Sequence, residues 1–134
     1  MHKKRKLNIS FKYDIHIIEA LKNLPVPLTT FDDHEVYFVN NKRNETIFEH
    51  ISNQKHGFKV SDINEIPLIL KDTNSLKFDV KKKIFRNYVG KRPKKNAKLK
   101  YIKIITRKMK GNKEIIETIY LIKNKSIERK RRNW

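Results

Sequence analysis

Leu99-Lys100-Tyr101-Ile102-Lys103-Ile104-Ile105-Thr106-Arg107-Lys108 and Glu114-Ile115-Ile116-Glu117-Thr118-Ile119-Tyr120-Leu121-Ile122 are the two stretches whose reading decides the fold. Both are rich in β-branched and aromatic residues, and apolar and polar side chains alternate loosely along them, the period of a half-buried strand. Met109–Lys113 joins them, and Gly111-Asn112 fits a two-residue type II′ hairpin turn with glycine first. That turn sets Lys108 opposite Ile115, Thr106 opposite Glu117, Ile104 opposite Ile119 and Ile102 opposite Leu121. This face is apolar toward its far end and is expected to pack on helices. The other face then pairs Arg107 with Ile116, Ile105 with Thr118, Lys103 with Tyr120 and Tyr101 with Ile122, a mixture of cations, hydroxyls and aromatic rings.

Upstream, Ser75–Val80 and Lys83–Val89 also alternate and read as strands. Before Lys71 the period is helical. Asp14–Asn23 carries Ile15, Ile17, Ile18, Ala20 and Leu21, and Leu24-Pro25-Val26-Pro27 ends it. Asn44 is a suitable N-cap for a helix over Asn44–Lys55, whose stripe is Ile47, Phe48 and Ile51 and which stops near Gly57. A third helix is expected over about Asn64–Lys71. Pro67 is best tolerated in a first turn, so Ser61–Ile63 reads as a preceding turn. Glu35–Val39 reads as a strand. The expected fold is α+β, with N-terminal helices packed on a C-terminal four-stranded, mostly antiparallel sheet. The expected organisation is a single domain over 1–134 with basic tails at about 1–6 and 123–134.

Charge narrows the function. The chain has 33 Lys and Arg against 14 Asp and Glu, a formal net charge of +19. Self-repulsion of that size is best tolerated by a domain whose partner is a polyanion. The charge is also segregated. Eleven of the 14 acids lie from Asp14 to Asp79, and none lies from Val80 to Lys113. The C-terminal half is therefore the expected phosphate-facing half, with Lys83, Lys91, Arg92, Lys94, Lys95, Lys98 and Lys103 as RNA-binding candidates. Aromatic and hydroxyl groups beside cations favour RNA. A plainer reading is a lysine-rich composition shared with the host genome. No cysteine is present, which excludes a thiol nucleophile and cysteine-based metal centres. No apolar run approaches the roughly 18 residues of a membrane span, and no signal-peptide core follows the basic N-terminus, so a cytoplasmic protein without membrane contact is expected.

Metal and nucleotide chemistry have little support. His50, His56 and Glu49 lie close in sequence but without HExxH or a carboxylate cluster, and three glycines leave no phosphate-cradling loop. No cofactor and no metal are expected. Metal-free RNA cleavage needs a base for the 2′-hydroxyl, an acid for the leaving 5′-oxygen and cations for the phosphorane. Histidine, arginine, lysine and tyrosine supply these roles.

Ile47-Phe48-Glu49-His50-Ile51, then Lys55-His56, then Ile66-Pro67-Leu68-Ile69-Leu70-Lys71-Asp72, together with Tyr101–Ile105 and Glu117-Thr118-Ile119-Tyr120, resemble the phage-associated nucleases of the barnase–EndoU–colicin–RelE group. That group shows a histidine-bearing helix, an Ile-Pro helix and a sheet that ends in a Thr-x-Tyr strand. The likeness spans about Ile47–Ile122 and departs at Asp72-Thr73-Asn74, where an Asn-Pro turn is usual. It implies helices on a four-stranded antiparallel sheet and metal-independent ribonuclease activity, in toxins or phage effectors. By position it implies catalytic roles for His50, His56, Thr118 and Tyr120. Charge and sheet face add Arg86 and Arg107.

Each residue also has a plainer role. His50 can be a hydrogen-bonded core residue, His56 a helix C-cap, Tyr120 a packing ring, Thr118 a strand former, and Arg86 and Arg107 solvating strand residues. His2, His16 and His34 are read as surface residues. The leading expectation is an endoribonuclease acting on the RNA backbone, with the ribosome or an acidic antitoxin or immunity protein as a further partner. The alternative is a non-catalytic RNA- or DNA-binding module, such as a ribosome-associated or phage structural protein.

Overall fold

A computed structural model of the chain describes residues 12–38, 47–78 and 84–123. Lys83, Val39, the Asn44 cap, and the tails 1–6 and 124–134 lie outside the described residues. The order is α1 (Ile15–Lys22), β1 (Leu28–Thr29), β2 (Glu35–Phe38), α2 (Ile47–Ser52), a 3-10 turn (Gln54–His56), α3 (Val60–Lys71), β3 (Leu76–Phe78), β4 (Phe85–Lys91), β5 (Tyr101–Met109) and β6 (Lys113–Ile122). The architecture is α+β, and no described helix is long and apolar enough to cross a membrane.

The sheet has six strands in the order β1-β2-β6-β5-β4-β3, which corrects the expected four. Strands β3 to β6 are the consecutive antiparallel set read from the sequence. To this β2 adds a parallel pairing on the edge of β6, and β1 pairs antiparallel to β2. A two-residue strand such as β1 carries no period to read. The docking of β2 is a tertiary event, in which it satisfies the edge groups that β6 would otherwise expose. The Glu35 N–H donates to the Asn112 carbonyl at 3.0 Å at the start of this ladder.

The β5–β6 hairpin agrees with the alternation at its far end, where Tyr101 pairs with Ile122, Ile102 with Leu121, Lys103 with Tyr120, Ile104 with Ile119 and Ile105 with Thr118. It departs near the turn. A bulge between Ile105 and Thr106 sets Thr106 opposite Ile116 and Lys108 opposite Glu114, so Glu117 is passed over. Met109 pairs with Lys113, and Gly111 and Asn112 both adopt positive φ, at 74° and 58°, in place of the expected type II′ geometry. The one-residue slip exchanges the faces of the first part of β6. Ile115 turns outward, and Glu114 turns into the core.

The core joins Ile17 and Leu21 of α1, Ile51 of α2, and Ile63, Ile66 and Leu70 of α3 to Val36, Tyr88, Ile102, Ile104, Ile116 and Ile119 of the sheet. Asp14 caps α1 by accepting the His16 N–H at 2.9 Å. Helix α3 begins at Val60, so Ser61–Ile63 is helical and Pro67 lies in the helix interior, contrary to expectation. Interior proline costs about 3 kcal/mol. Burial of Ile63, Ile66, Ile69 and Leu70, at roughly 1.5–3 kcal/mol per side chain, outweighs it. Helix and sheet approach closely at Gly90, where an added Cβ would lie 2.3 Å from Cγ1 of Ile69.

Candidate functional site

Helix α2 ends at Ser52, short of the expected Lys55, and the reason shapes the site. Asn53 is extended, at φ −64° and ψ 120°, and its side chain accepts the Lys55 N–H at 3.1 Å to open the 3-10 turn. Asn53 also bridges to Tyr13, and the Asp14 N–H donates to the Ser52 carbonyl at 2.8 Å, so the N-terminal end of α1 closes the end of α2. Gly57 reverses the chain with φ 77°. In one continuous helix, at about 100° per residue, His50 and His56 would diverge by about 120° around the axis. The break instead folds them together, with ring centroids 4.3 Å apart at an interplanar angle of 42°.

Helix α2 lies against β6. The His50 ring meets the Tyr120 ring edge-on, with centroids 6.4 Å apart at 89°. Tyr120 is 45% exposed, and both imidazoles are partly exposed. Lys103 is the cross-strand neighbour of Tyr120 and is buried. Thr118 stands two residues before Tyr120 on the same strand face and is half-buried. His50, His56 and Tyr120 thus meet beside the C-terminal part of β6, with Thr118 on the same strand face and Lys103 opposite Tyr120 on β5.

The predicted arginines do not join them. Arg86 pairs with Thr106 on the helix-covered face and is 5% exposed. Its guanidinium donates to Glu114 Oε2 at 2.7 Å and to Asp32 Oδ2 at 2.9 Å, and the Phe31 ring lies 5.7 Å away. Arg107 places Nε 2.8 Å from Glu117 Oε1 beside the bulge. It sits four residues along β5 from Lys103, roughly 13 Å at about 3.3 Å per residue. The expectation that Arg92 faces phosphate is also corrected. Arg92 is 6% exposed, and both carboxylate oxygens of Asp62 accept from it, at 2.9 and 2.7 Å. Lys91, Lys94, Lys95 and Lys98 are exposed.

A second cluster escaped the sequence reading. Glu114 is fully buried and accepts from Arg86, from Tyr88 at 2.8 Å and from Thr106 at 2.7 Å. His34, read as a surface residue, places Nδ1 2.6 Å from Glu114 Oε2 and 2.9 Å from Nη1 of Arg86. Its Nε2 lies 3.7 Å from Asp32 Oδ2. Asp32, His34 and Glu114 offer ligand atoms within 4.8 Å of one another. Arg86 already bonds both carboxylates, so a bound cation would have to displace a buried guanidinium and leave it unpaired. The cluster therefore works as an ion-pair network that ties the segment around Asp32 to the sheet. No sequence signal marks it, because Glu114 turns inward only through the bulge.

Protonation follows from this geometry. Burial pushes the Tyr88 phenol well above its usual range, and the Glu114 carboxylate adds to the shift. Burial opposes ionisation of Asp32, but hydrogen bonds from Thr30 and Arg86 and the nearby charges outweigh it, so its carboxyl lies below the usual value. For Arg86, burial disfavours the charge, and Asp32, Tyr88 and Glu114 more than restore it. The raised Tyr88 value means that the folded protein keeps a proton that an unfolded tyrosine releases above about pH 10. Stability is thus expected to fall as pH rises past about 10. Urea unfolding of Tyr88→Phe should show a shallower decline there than wild type, and an equal slope would remove Tyr88 from the account. The depressed Asp32 carboxyl acts at the other end, with a contribution lost as pH falls below about 4.

No protein-family model, curated protein or solved structure matches this chain.

Proposed function

We propose that the protein is a metal-independent endoribonuclease of toxin or phage-effector type, with His50, His56 and Tyr120 at its centre. The observation that carries this reading is the pairing of two partly exposed imidazoles, with ring centroids 4.3 Å apart, against an exposed phenol in a strongly basic chain. A packing role does not require two partly exposed titratable rings. One imidazole takes the 2′-hydroxyl proton as the 2′-oxygen bonds to phosphorus. The P–O5′ bond breaks, and the other imidazole returns a proton to the leaving oxygen. The exposed Tyr120 hydroxyl faces the phosphate, and the buried Lys103 opposite it on β5 adds positive field from beneath, which together offset the developing charge. The resemblance to the barnase–EndoU–colicin–RelE group supports this reading through the consecutive antiparallel strands β3–β6; the parallel β2 and the short β1 are outside what it implies. An RNA substrate, an acidic neutralising partner or the ribosome, and a cytoplasmic site of action belong to the same proposal.

Cleavage of single-stranded RNA is expected to persist in EDTA and to leave 2′,3′-cyclic phosphate and 5′-hydroxyl ends. Dependence on added magnesium with 5′-phosphate products would reject this mechanism. The rival is a non-catalytic RNA-binding module. It is favoured by the exposed lysines of the β4–β5 connection, which need no histidine to act.

A further inference from the structure

The β4–β5 connection carries Lys91, Lys94, Lys95, Lys98 and Lys100, all exposed. None of them is in an ion pair among the described residues. Five like charges in one loop repel one another and, left alone, favour an open, mobile loop. Arg92 prevents that. Its backbone N–H donates to the Lys100 carbonyl at 2.9 Å, and Nη1 donates to the Leu99 carbonyl at 2.9 Å, which closes the neck of the loop. Nε and Nη2 grip Asp62 in the first turn of α3. Nη2 also reaches the carbonyl of Gly57, the residue after His56, at 3.3 Å. Asp62 is itself fixed, since Oδ2 accepts the Lys59 N–H at 2.8 Å. One buried side chain therefore joins the lysine loop, the start of α3 and the backbone beside the histidine pair.

We propose that residues 91–100 form a phosphate-backbone clamp for single-stranded RNA, with Arg92 as the positioning residue that holds the clamp beside His50 and His56. The unpaired cations select a polyanion, and the acid-free run from Val80 to Lys113 keeps repulsion from that surface low. The exposed Tyr120 ring offers a stacking face that only an unpaired base can reach, which favours a single strand over a duplex. Holding the loop in place before binding removes much of the ordering cost that a free lysine loop would meet. The inference names the substrate path of the proposed ribonuclease and rests on that reading for its placement, but its test is a binding measurement that needs no cleavage.

The probe is a fluorescein-labelled oligouridylate, followed by anisotropy from about 50 to 200 mM KCl. Lys94→Gln/Lys95→Gln/Lys98→Gln should keep the wild-type melting temperature and flatten the log–log salt slope by about 2, three contacts at about 0.7 each. Arg92→Met combined with Asp62→Leu keeps every lysine and leaves no buried charge unpaired. It should bind about tenfold more weakly and, in the cleavage assay, raise KM with kcat retained. An unchanged salt slope in the lysine variant overturns the clamp, even if wild type cleaves RNA normally. Wild-type affinity in a folded Arg92→Met/Asp62→Leu variant overturns the positioning role, and if that variant fails to fold, the lysine variant still decides the clamp. Absence of RNA binding by wild type also overturns the proposal. Loss of slope in a protein that binds but never cleaves supports the clamp and sinks the ribonuclease reading alone.

Discussion

Replacing His50 or His56 with Ala is expected to slow RNA cleavage by about two to four orders of magnitude for at least one of the two, the usual contribution of a general acid or base. Affinity should hardly change, because neither imidazole is among the exposed cations that meet the backbone. Folding should also survive, since both rings are partly exposed and stand apart from the buried core. Tyr120→Phe refines the result. It keeps the ring that meets His50 edge-on and removes only the hydroxyl, so a loss of rate there reports phosphate positioning or proton transfer. The measurement is single-turnover cleavage of a labelled RNA in EDTA, beside anisotropy binding and a thermal melt of each variant. Wild type that binds RNA tightly but cleaves none across pH 5–9 hands the argument to the binding-module reading. Cleavage that ignores both histidines would move the chemistry to Lys103 and Tyr120.

Glu114→Ala is expected to have the largest effect on stability, about 3–5 kcal/mol, because it strips a buried network of its central acceptor. Arg86 would keep one carboxylate, Asp32, which is about a third exposed, and its Nη1 contact with His34, and Tyr88 and Thr106 would lose the carboxylate they donate to. For a domain with a stability of about 5–15 kcal/mol, that is a large share. The comparison that identifies the cause is Glu114→Leu with Arg86→Met. Removing both charges spares the cost of an orphaned guanidinium, so the double variant should be more stable than Glu114→Ala. Urea unfolding of the three proteins checks this. A Glu114→Ala midpoint close to wild type would show that water reaches the network and replaces the lost carboxylate.

These two expectations differ in how visible their residues were. Short patterns single out His50, His56, Thr118 and Tyr120, and the structure brings the two histidines against the part of β6 that carries Thr118 and Tyr120. Charge and sheet face point to Arg86, and charge alone to Arg92. An arginine in a basic stretch looks the same whether it meets solvent or a buried carboxylate. Arg86 finds Asp32 54 residues upstream and Glu114 28 residues downstream, while Arg92 finds Asp62 30 residues away. His34 was passed over for the same reason, since Glu114 lies 80 residues from it.

What the chain determined by itself was local: the helical period of Ile15–Lys22 and Ile47–Ser52, the alternation that pairs Tyr101–Ile105 with Thr118–Ile122, and the concentration of cations after Asp79. Such patterns arise among neighbours a few residues apart, where backbone geometry sets the period. The tertiary structure decided the rest. It carried α3 through Pro67, because buried isoleucines outweigh one missing hydrogen bond. It broke the second helix at Asn53, because the N-terminal end of α1 docks there, and so folded His56 onto His50. It passed over Glu117 in the β5–β6 ladder, which turned Glu114 into the core to meet Arg86, Tyr88 and Thr106. A buried charge must find its partner in space, and partners distant along the chain leave no mark on a local period.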